Sequence, residues 1–362
     1  MGKDVLSVWA VFVGSVIGAG FASGAETVTF FAVYGTSGLV GALVAGAVLA
    51  LLGARLLLVA RYEKGHEDVL RLLFGSVFPL MRALLGVFWL TMLSVMLSGA
   101  GALGASLGLG AGFCTDELAC FEVVCKSMSL DLSEAVCSGM FAMILFVLSL
   151  GGMRMLPLAN MVVTPLVILV VAVMTVASLV YHQDRLLPMM TVSSVPLSAL
   201  TDPIYYASYN LAMCLPALAS LSVRDKSAIR SGAMLAGATL AVLLVLLLLV
   251  VMLHYEEALA EPIPMLMVAE MQDASCYCGY ALILTLSMVT SALGALLGIS
   301  RLCAPYVRSE RLCSALLLAV CFAISQAGFT TLVQTVLPML AGASLVFTLR
   351  LCFPVRGGTL RH

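Results

Sequence analysis

The chain has 362 residues, of which 62% are hydrophobic and only 10% charged, and its mean hydropathy is +1.13. Soluble domains carry about a quarter charged residues, so this composition excludes a soluble globular protein and indicates lipid as the solvent. The net charge of −1 leaves no basic surface for phosphates, which excludes nucleic acid as a partner. The sequence contains no familiar catalytic motif, so we expect no enzyme.

Ten runs are long and apolar enough to cross a bilayer, which takes roughly 20 residues each. The first run continues past any plausible cleavage point, so we interpret it as a span and not as a signal peptide. The sequence therefore predicts an all-α polytopic membrane protein, a single transmembrane domain over 1–362. The predicted spans are 5–33, 38–60, 77–108, 135–151, 156–181, 197–221, 230–254, 278–300, 312–327 and 330–351.

Basic residues fall almost entirely on one side of these spans. If the N-terminus is cytoplasmic, all but Lys126 and Arg185 of the 18 basic residues lie on or beside the cytoplasmic side. Positively charged loops remain in the cytoplasm, so this partition supports ten spans with both termini inside.

Six cysteines lie in or near the outer loops. An oxidising exterior would allow disulfides, but pairing cannot be deduced from spacing, and disulfides and free thiols are equally compatible with it. The spacings lack nearby histidines and make poor zinc motifs. These residues are Cys114, Cys120 and Cys125 in the outer loop 109–134, Cys137 close to it, and Cys276 and Cys278 at the mouth of span 8.

Five spans precede the outer loop at 182–196 and five follow it, so spans 1 and 6 cross in opposite directions. This pattern predicts two inverted repeats, 5–181 and 197–351. In transporters built this way, Gly- or Pro-interrupted spans at corresponding positions mark the binding site. We therefore expect spans 1 and 6 to be discontinuous and to hold the site.

Span 1 contains Gly14, Gly18, Gly20 and Gly24. Each weakens a helix by about 1 kcal/mol relative to alanine, but the same spacing also fits close helix packing. Glu26 follows inside the span, where a carboxylate is costly and is a functional candidate by default. We favour a functional or gating role for Glu26 over a passive one, in which it faces a water-filled vestibule or caps a neighbouring helix.

Span 6 opens with Asp202-Pro203, a suitable start for a short outer half-helix. Polar residues then cluster near mid-membrane. An interfacial aromatic belt is the alternative for the two outermost tyrosines. That belt does not account for the deeper residues, for which binding is the stronger interpretation. The cluster consists of Tyr205, Tyr206, Ser208, Tyr209 and Asn210.

Span 8 places Ser287, Thr290 and Ser291 on one helical face. Their hydroxyl oxygens suit a hard cation such as sodium. Bonding to their own helix is the alternative, and on these residues alone it is the better one.

The run Val13–Gly24, with Glu26 and Phe30-Phe31, resembles the YkvI family of bacterial membrane proteins, and Tyr206-x2-Tyr209-Asn210 fits the same family. That family looks like a branch of the amino acid–polyamine–organocation superfamily, whose five-plus-five inverted repeat is called the LeuT fold. The resemblance implies a protein of the bacterial cytoplasmic membrane.

The resemblance also implies roles for particular residues. The amides that open the outer half of span 1 would face an anionic group. Sodium would be held by Gly14, Ile17, Ser287, Thr290 and Ser291. Substrate would be held by Gly18, Ala19, Gly20, Phe21, Ala22, Ser23, Tyr205, Tyr206, Ser208, Tyr209 and Asn210. Independently of the resemblance, Glu26 and Asp202 are the candidates for gating or coupling.

These observations predict a cation-coupled secondary transporter of a small polar solute, with amino acids the best guess, working by alternating access. Sodium is the expected coupling ion, because span 5 lacks the lysine that some proton-coupled relatives carry. A proton is the alternative. No cofactor is expected, and the partners are the solute and the lipid bilayer. The alternative function is a membrane sensor or scaffold that keeps the fold and uses the 110–134 loop for docking.

Overall fold

The computed structural model describes residues 2–63, 65–109, 132–152, 155–181, 196–304, 306–307 and 309–353, and every regular element among them is helical. Short 3-10 turns lie at Ala32–Tyr34 and Gly75–Val77, and a π-helical turn lies at Leu332–Val336. The helices are α1 (Gly2–Val16), α2 (Ala19–Ser23), α3 (Ala25–Phe30), α4 (Ser37–Ala60), α5 (His66–Phe74), α6 (Phe78–Ser106), α7 (Leu132–Ser149), α8 (Met155–Tyr181), α9 (Ser198–Leu218), α10 (Lys226–Leu253), α11 (Tyr255–Ala260), α12 (Pro264–Gln272), α13 (Ala274–Cys303), α14 (Glu310–Ser325), α15 (Phe329–Thr331) and α16 (Leu337–Cys352).

The helices have the lengths and surfaces of a membrane protein. Within the described ranges, six stretches are long and apolar enough to cross a bilayer: α4, α5 with α6, α7, α8, α10 and α13. The other predicted spans overlap helices that are shorter, interrupted or more polar. Large apolar side chains such as Leu51 and Leu169 are 63% and 60% exposed. Such a surface suits lipid and not water.

Helices α4 and α10 cross at the centre of the bundle through small residues. A methyl group built on Gly46 would lie 2.8 Å from the Gly237 carbonyl oxygen, and one on Gly237 would lie 2.6 Å from the Gly46 carbonyl oxygen. Ala50, four residues after Gly46 on α4, lies against Gly237. Ala241, four residues after Gly237 on α10, lies against Gly46. Glycine is therefore required at both positions for the backbones to approach this closely.

The first predicted span is interrupted twice. Helix α1 ends at Val16, Gly18 is extended (φ −107°, ψ −166°), and α2 begins at Ala19. Helix α2 ends at Gly24, whose φ of +82° is a left-handed conformation that favours glycine, and α3 follows. The glycines at 18 and 24 thus interrupt the helix, whereas Gly14 lies inside α1 and packs against α8.

The expected discontinuity of span 6 is wrong, because α9 runs unbroken through Pro203 and Pro216. A proline inside a helix leaves the carbonyl four residues earlier without its usual donor. The Trp89 indole on α6 donates to the Ala212 carbonyl, the one that Pro216 cannot reach, at 3.0 Å. A neighbouring helix therefore compensates the inner proline, and the break is unnecessary.

Most of the outer loop 109–134, with Cys114, Cys120 and Cys125, lies outside the described residues, and so does almost all of the loop at 182–196. Cys276 and Cys278 at the start of α13 carry free thiols.

Candidate functional site

The interruption after α1 is held by two hydroxyl groups of α13. Ser287 Oγ lies 3.2 Å from the Ile17 carbonyl oxygen and 3.5 Å from that of Gly18, and Ser291 Oγ lies 3.3 Å from that of Ile17. Both serines are buried, with 0% and 3% of their surface exposed. Four oxygen atoms from two chain segments therefore converge inside the bundle.

The spacing of these oxygens is long for hydrogen bonds between a hydroxyl and a carbonyl, which are most often about 2.7–2.8 Å. Two oxygens that bind one hard cation at right angles, each about 2.4 Å from it, lie about 3.4 Å apart. The distances from Ser287 and Ser291 to the Ile17 and Gly18 carbonyls, 3.2–3.5 Å, match the edges of such a coordination shell.

Gly14 and Thr290, the other predicted sodium ligands, are placed differently. The Gly18 amide donates to the Val16 carbonyl at 2.9 Å, so the Gly14 carbonyl loses the donor it would have in a continuous helix. The Thr290 hydroxyl donates to the Ser287 carbonyl of its own helix at 2.9 Å. The Gly14 carbonyl is thus without its helical donor, and the Thr290 hydroxyl must rotate to join the other oxygens.

Tyr280 is a residue of this region that the sequence analysis missed. Its buried hydroxyl donates to the Ala22 carbonyl of α2. It lies seven residues before Ser287, two helical turns away on the same face of α13. That periodicity is the signal in the sequence by which Tyr280 could have been found. Helix α13 therefore holds α2 at both ends, through Ser287 and Ser291 at one end and Tyr280 at the other.

The carboxylate of Glu26 lies against Gly20. A methyl group built on Gly20 would overlap the Glu26 carboxylate carbon and one of its oxygens. Along a continuous helix, six residues would separate the two by about 9 Å. Gly24 turns the chain between α2 and α3 and brings the carboxylate back over α2. Glu26 thus lies in the predicted substrate region.

Aromatic rings surround this carboxylate. The Tyr209 hydroxyl on α9 is the polar group beside it, although that hydroxyl makes no hydrogen bond of normal geometry among the described residues. The Phe30 ring stacks on Tyr209 at 5.8 Å, and the Tyr206 ring meets Tyr209 edge-on at 5.5 Å. Phe31 packs edge-on against Tyr206 at 5.1 Å. Spans 1 and 6 therefore meet through aromatic side chains around one acid.

The other predicted binding residues of span 6 are less available to a ligand. Tyr205 is 36% exposed and does not join the cluster. The Ser208 hydroxyl donates to the Ile204 carbonyl at 2.7 Å, and the Asn210 amide donates to the Tyr206 carbonyl at 3.0 Å. Both side chains therefore bond their own helix.

The predicted binding residues of span 1 form helix α2 and its N-cap. A methyl group on Gly18 would lie 3.1 Å from Ser291 Oγ, so this position faces α13 closely. Phe21, Ala22 and Ser23 are buried, and the Ser23 hydroxyl donates to the Gly20 carbonyl at 3.2 Å. Helix α2 has only five residues, in place of the longer outer half-helix that was expected to present its amides to an anion.

Helix α3 separates the Glu26 cluster from a small outer cavity of about 90 Å³. Ala25, Val28 and Thr29 line that cavity from one face of α3, together with Pro264 and Phe329. Glu26, Thr27 and Phe30 occupy the buried face. A six-residue helix with a left-handed glycine at its start is thus the barrier between the outer cavity and the acid.

Asp202, the other predicted gating residue, joins the outer ends of spans 1 and 6. The Tyr34 hydroxyl donates to its carboxylate at 2.5 Å. Partial burial, followed by the hydrogen bond to Asp202, raises the pKa of the Tyr34 phenol, so it stays protonated and remains the donor.

We expect Tyr34→Phe to lower the stability of the purified protein by about 1–3 kcal/mol, because it removes one hydrogen bond to a charged group. Asp202→Asn is expected to cost less, since an amide oxygen still accepts from Tyr34. Thermal unfolding in detergent measures both effects. A Tyr34→Phe midpoint equal to that of wild type would contradict this role of the pair.

Relatives of the chain are consistent with this architecture. No family model matches the sequence. The chain is 28% identical over 348 residues to the uncharacterized membrane protein YkvI of Bacillus subtilis, a match that covers 93% of this chain and 92% of that protein.

Solved structures with a similar fold include an outward-open, Na⁺-coupled sialic acid symporter, with a TM-score of 0.59 at 11% identity over 96% of this chain and 78% of that one. A manganese transporter of Eremococcus coleocola gives a TM-score of 0.52 at 15% identity over 94% and 76%. At these identities the likeness concerns the fold. The resemblance to the YkvI membrane protein is confirmed, and the chain shares the fold of these solved membrane transporters.

Proposed function

We propose that this protein is a sodium-coupled secondary transporter of a small polar solute, an amino acid or a related compound, and that it works by alternating access. The observation that carries the proposal is the convergence of the Ile17 and Gly18 carbonyls with the Ser287 and Ser291 hydroxyls at the interruption of span 1. Unwound carbonyls of a broken helix are the groups that bind coupling ions in transporters of this kind. A proton remains the alternative coupling ion.

The helix contacts support two inverted repeats of five spans, 5–181 and 197–351, in a single domain. Span 1 (α1) packs on span 7 (α10), and the counterpart of span 1, span 6 (α9), packs on the counterpart of span 7, span 2 (α4). In the same way, span 1 packs on span 5 (α8), and span 6 packs on span 10 (α16). Two further contacts each join a span to its own counterpart in the other repeat. They are α4 with α10 (spans 2 and 7) and α6 with α13 (spans 3 and 8). An inverted repeat with ten spans accounts for this pattern. The placement of both termini in the cytoplasm of a bacterial cell rests on the partition of the basic residues.

The Glu26 cluster is the solute-binding region in this proposal, and α3 is the outer barrier. The solute site adjoins the cation site through α2, because Gly18 faces Ser291 and Gly20 faces Glu26. A cation that fixes the Ile17–Gly18 interruption would therefore also fix α2 beneath the solute. Binding of one would favour binding of the other, which is the coupling that symport requires.

Thermal unfolding of the detergent-purified protein with a panel of small polar solutes, in sodium and in potassium, tests this proposal. A ligand that binds only the folded state raises the midpoint by mass action. We expect at least one solute to stabilise the protein more in sodium than in potassium. Equal stabilisation by every solute in the two salts would contradict the proposed coupling to sodium.

A further inference from the structure

The Glu26 cluster contains buried polar atoms that make no hydrogen bond of normal geometry in the described part of the chain. Glu26 is 5% exposed, and its Oε2 atom is buried without a hydrogen-bond partner in the described part of the chain. The same holds for the hydroxyls of Tyr206 and Tyr209, whose side chains are 0% and 2% exposed. Buried polar atoms in folded proteins are normally hydrogen-bonded. One such atom in the carboxylate and two in the phenols beside it indicate a missing ligand.

The charge of the cluster specifies that ligand further. Among the described residues, no lysine, arginine or histidine lies within ion-pair distance of Glu26. A buried carboxylate is costly unless it is paired with a cation or protonated. The rings of Tyr206, Tyr209 and Phe30 pack together in the same region, and aromatic rings attract organic cations.

We infer that Glu26, Tyr206 and Tyr209 bind the protonated primary amine of the solute. This inference rests on the proposed transport function and names the chemical class of its solute. A primary ammonium group has three N–H donors and no acceptor, and Glu26 Oε2 and the two phenol oxygens can accept from them. The Tyr209 O–H group can at the same time donate to the Glu26 carboxylate. The carboxylate supplies the counter-charge, and the phenols supply the other two acceptors together with aromatic walls.

Sodium and a proton account for the cluster less well. Sodium prefers a shell made mostly of oxygens, and here aromatic carbon surrounds only three. A proton on Glu26 could be shared with the neighbouring Tyr209 phenol, but it would add no partner for the Tyr206 phenol. The carbonyls and hydroxyls at Ile17, Ser287 and Ser291 form the oxygen-rich set, so the cation and the amine have separate places.

Matched pairs of compounds test the assignment in the full-length, detergent-purified protein in sodium. Each pair replaces an amine by a hydroxyl: alanine and lactate, ethanolamine and ethylene glycol, putrescine and 1,4-butanediol. The concentration dependence of the thermal midpoint gives the affinity. We expect at least one amine to stabilise the protein and its hydroxyl counterpart to bind at least about 10-fold more weakly.

Glu26→Gln is expected to reduce the affinity for that amine by about 100-fold, and Tyr209→Phe by about 10-fold. Glu256→Gln removes an exposed outer carboxylate, and Tyr277→Phe removes a phenol bonded to the Ser106 carbonyl at the outer end of α13. Both controls are expected to leave the affinity unchanged. Midpoints measured in sodium without solute establish that each variant is folded.

Equal stabilisation by both members of every pair, or an unchanged amine affinity in folded Glu26→Gln, would overturn the amine assignment. In either case, greater stabilisation by solute in sodium than in potassium would leave the transport proposal standing. If Glu26→Gln instead removes the pH dependence of binding equally for amine and hydroxyl compounds, Glu26 carries a proton and the assignment is also wrong. A panel that gives no stabilisation in either salt would count against both proposals.

Discussion

Replacing Ser287 and Ser291 together by alanine is expected to weaken sodium binding by about 100-fold. The double variant removes two of the four oxygens at the interruption of span 1, where the serine hydroxyls lie 3.2–3.5 Å from the Ile17 and Gly18 carbonyls. Even the loss of groups that only orient metal ligands costs about 10–100-fold in affinity. Equilibrium binding of radioactive sodium to the purified protein measures the change.

Thr285→Ala is the matched control for that experiment. It removes a hydroxyl from the same helix, but this hydroxyl donates to the Ala281 carbonyl at 2.8 Å and not to span 1. We expect sodium binding to Thr285→Ala to equal that of wild type. Equal losses in the double variant and in this control would show that sodium binding does not depend on the oxygens at the interruption.

Gly237→Leu is expected to abolish folding of most of the protein. Because even a methyl group at Gly237 would lie 2.6 Å from the Gly46 carbonyl oxygen, a leucine must push α4 and α10 apart along their whole contact. Overpacking of a tight core costs about 1–3 kcal/mol or more for a few methylenes, and here backbone is displaced. The yield of monodisperse protein in size-exclusion chromatography after extraction measures the effect.

Gly342→Leu provides the comparison for Gly237→Leu. It adds the same side chain to α16 at an exposed position where a methyl group would meet no atom within 4 Å. We expect a yield close to that of wild type. A comparable loss in both variants would mean that the added leucine harms insertion in general, and that the α4–α10 crossing is not specially tight.

The interruption of span 1 was predictable because its residues identify it locally. Glycines at 18 and 24 carry the extended and left-handed conformations, and the serine face of span 8 supplies the partners. The interruption of span 6 was predicted wrongly, since Pro216 is accommodated by Trp89, and no local pattern announces a partner 127 residues earlier in the chain.

The position of Glu26 was missed for a different reason. A rise of 1.5 Å per residue is valid only within one helix, and Gly24 ends α2 before Glu26 is reached. The glycine was visible in the sequence, but its left-handed conformation and the approach of Met265 and Pro264 of α12 to it were not. Glu26 was predicted as a gating residue, and its carboxylate instead lies in the predicted solute region beside Tyr206 and Tyr209.

Uptake into proteoliposomes under an imposed sodium gradient tests the central claim most directly. The purified protein is reconstituted, and the solute that stabilises it best is supplied outside with sodium, with potassium, or with a pH gradient alone. The account predicts accumulation against the solute gradient only when the sodium gradient points inward, and loss of that accumulation in the Ser287→Ala, Ser291→Ala double variant. Accumulation that follows the pH gradient and ignores sodium, with the double variant fully active, would contradict it.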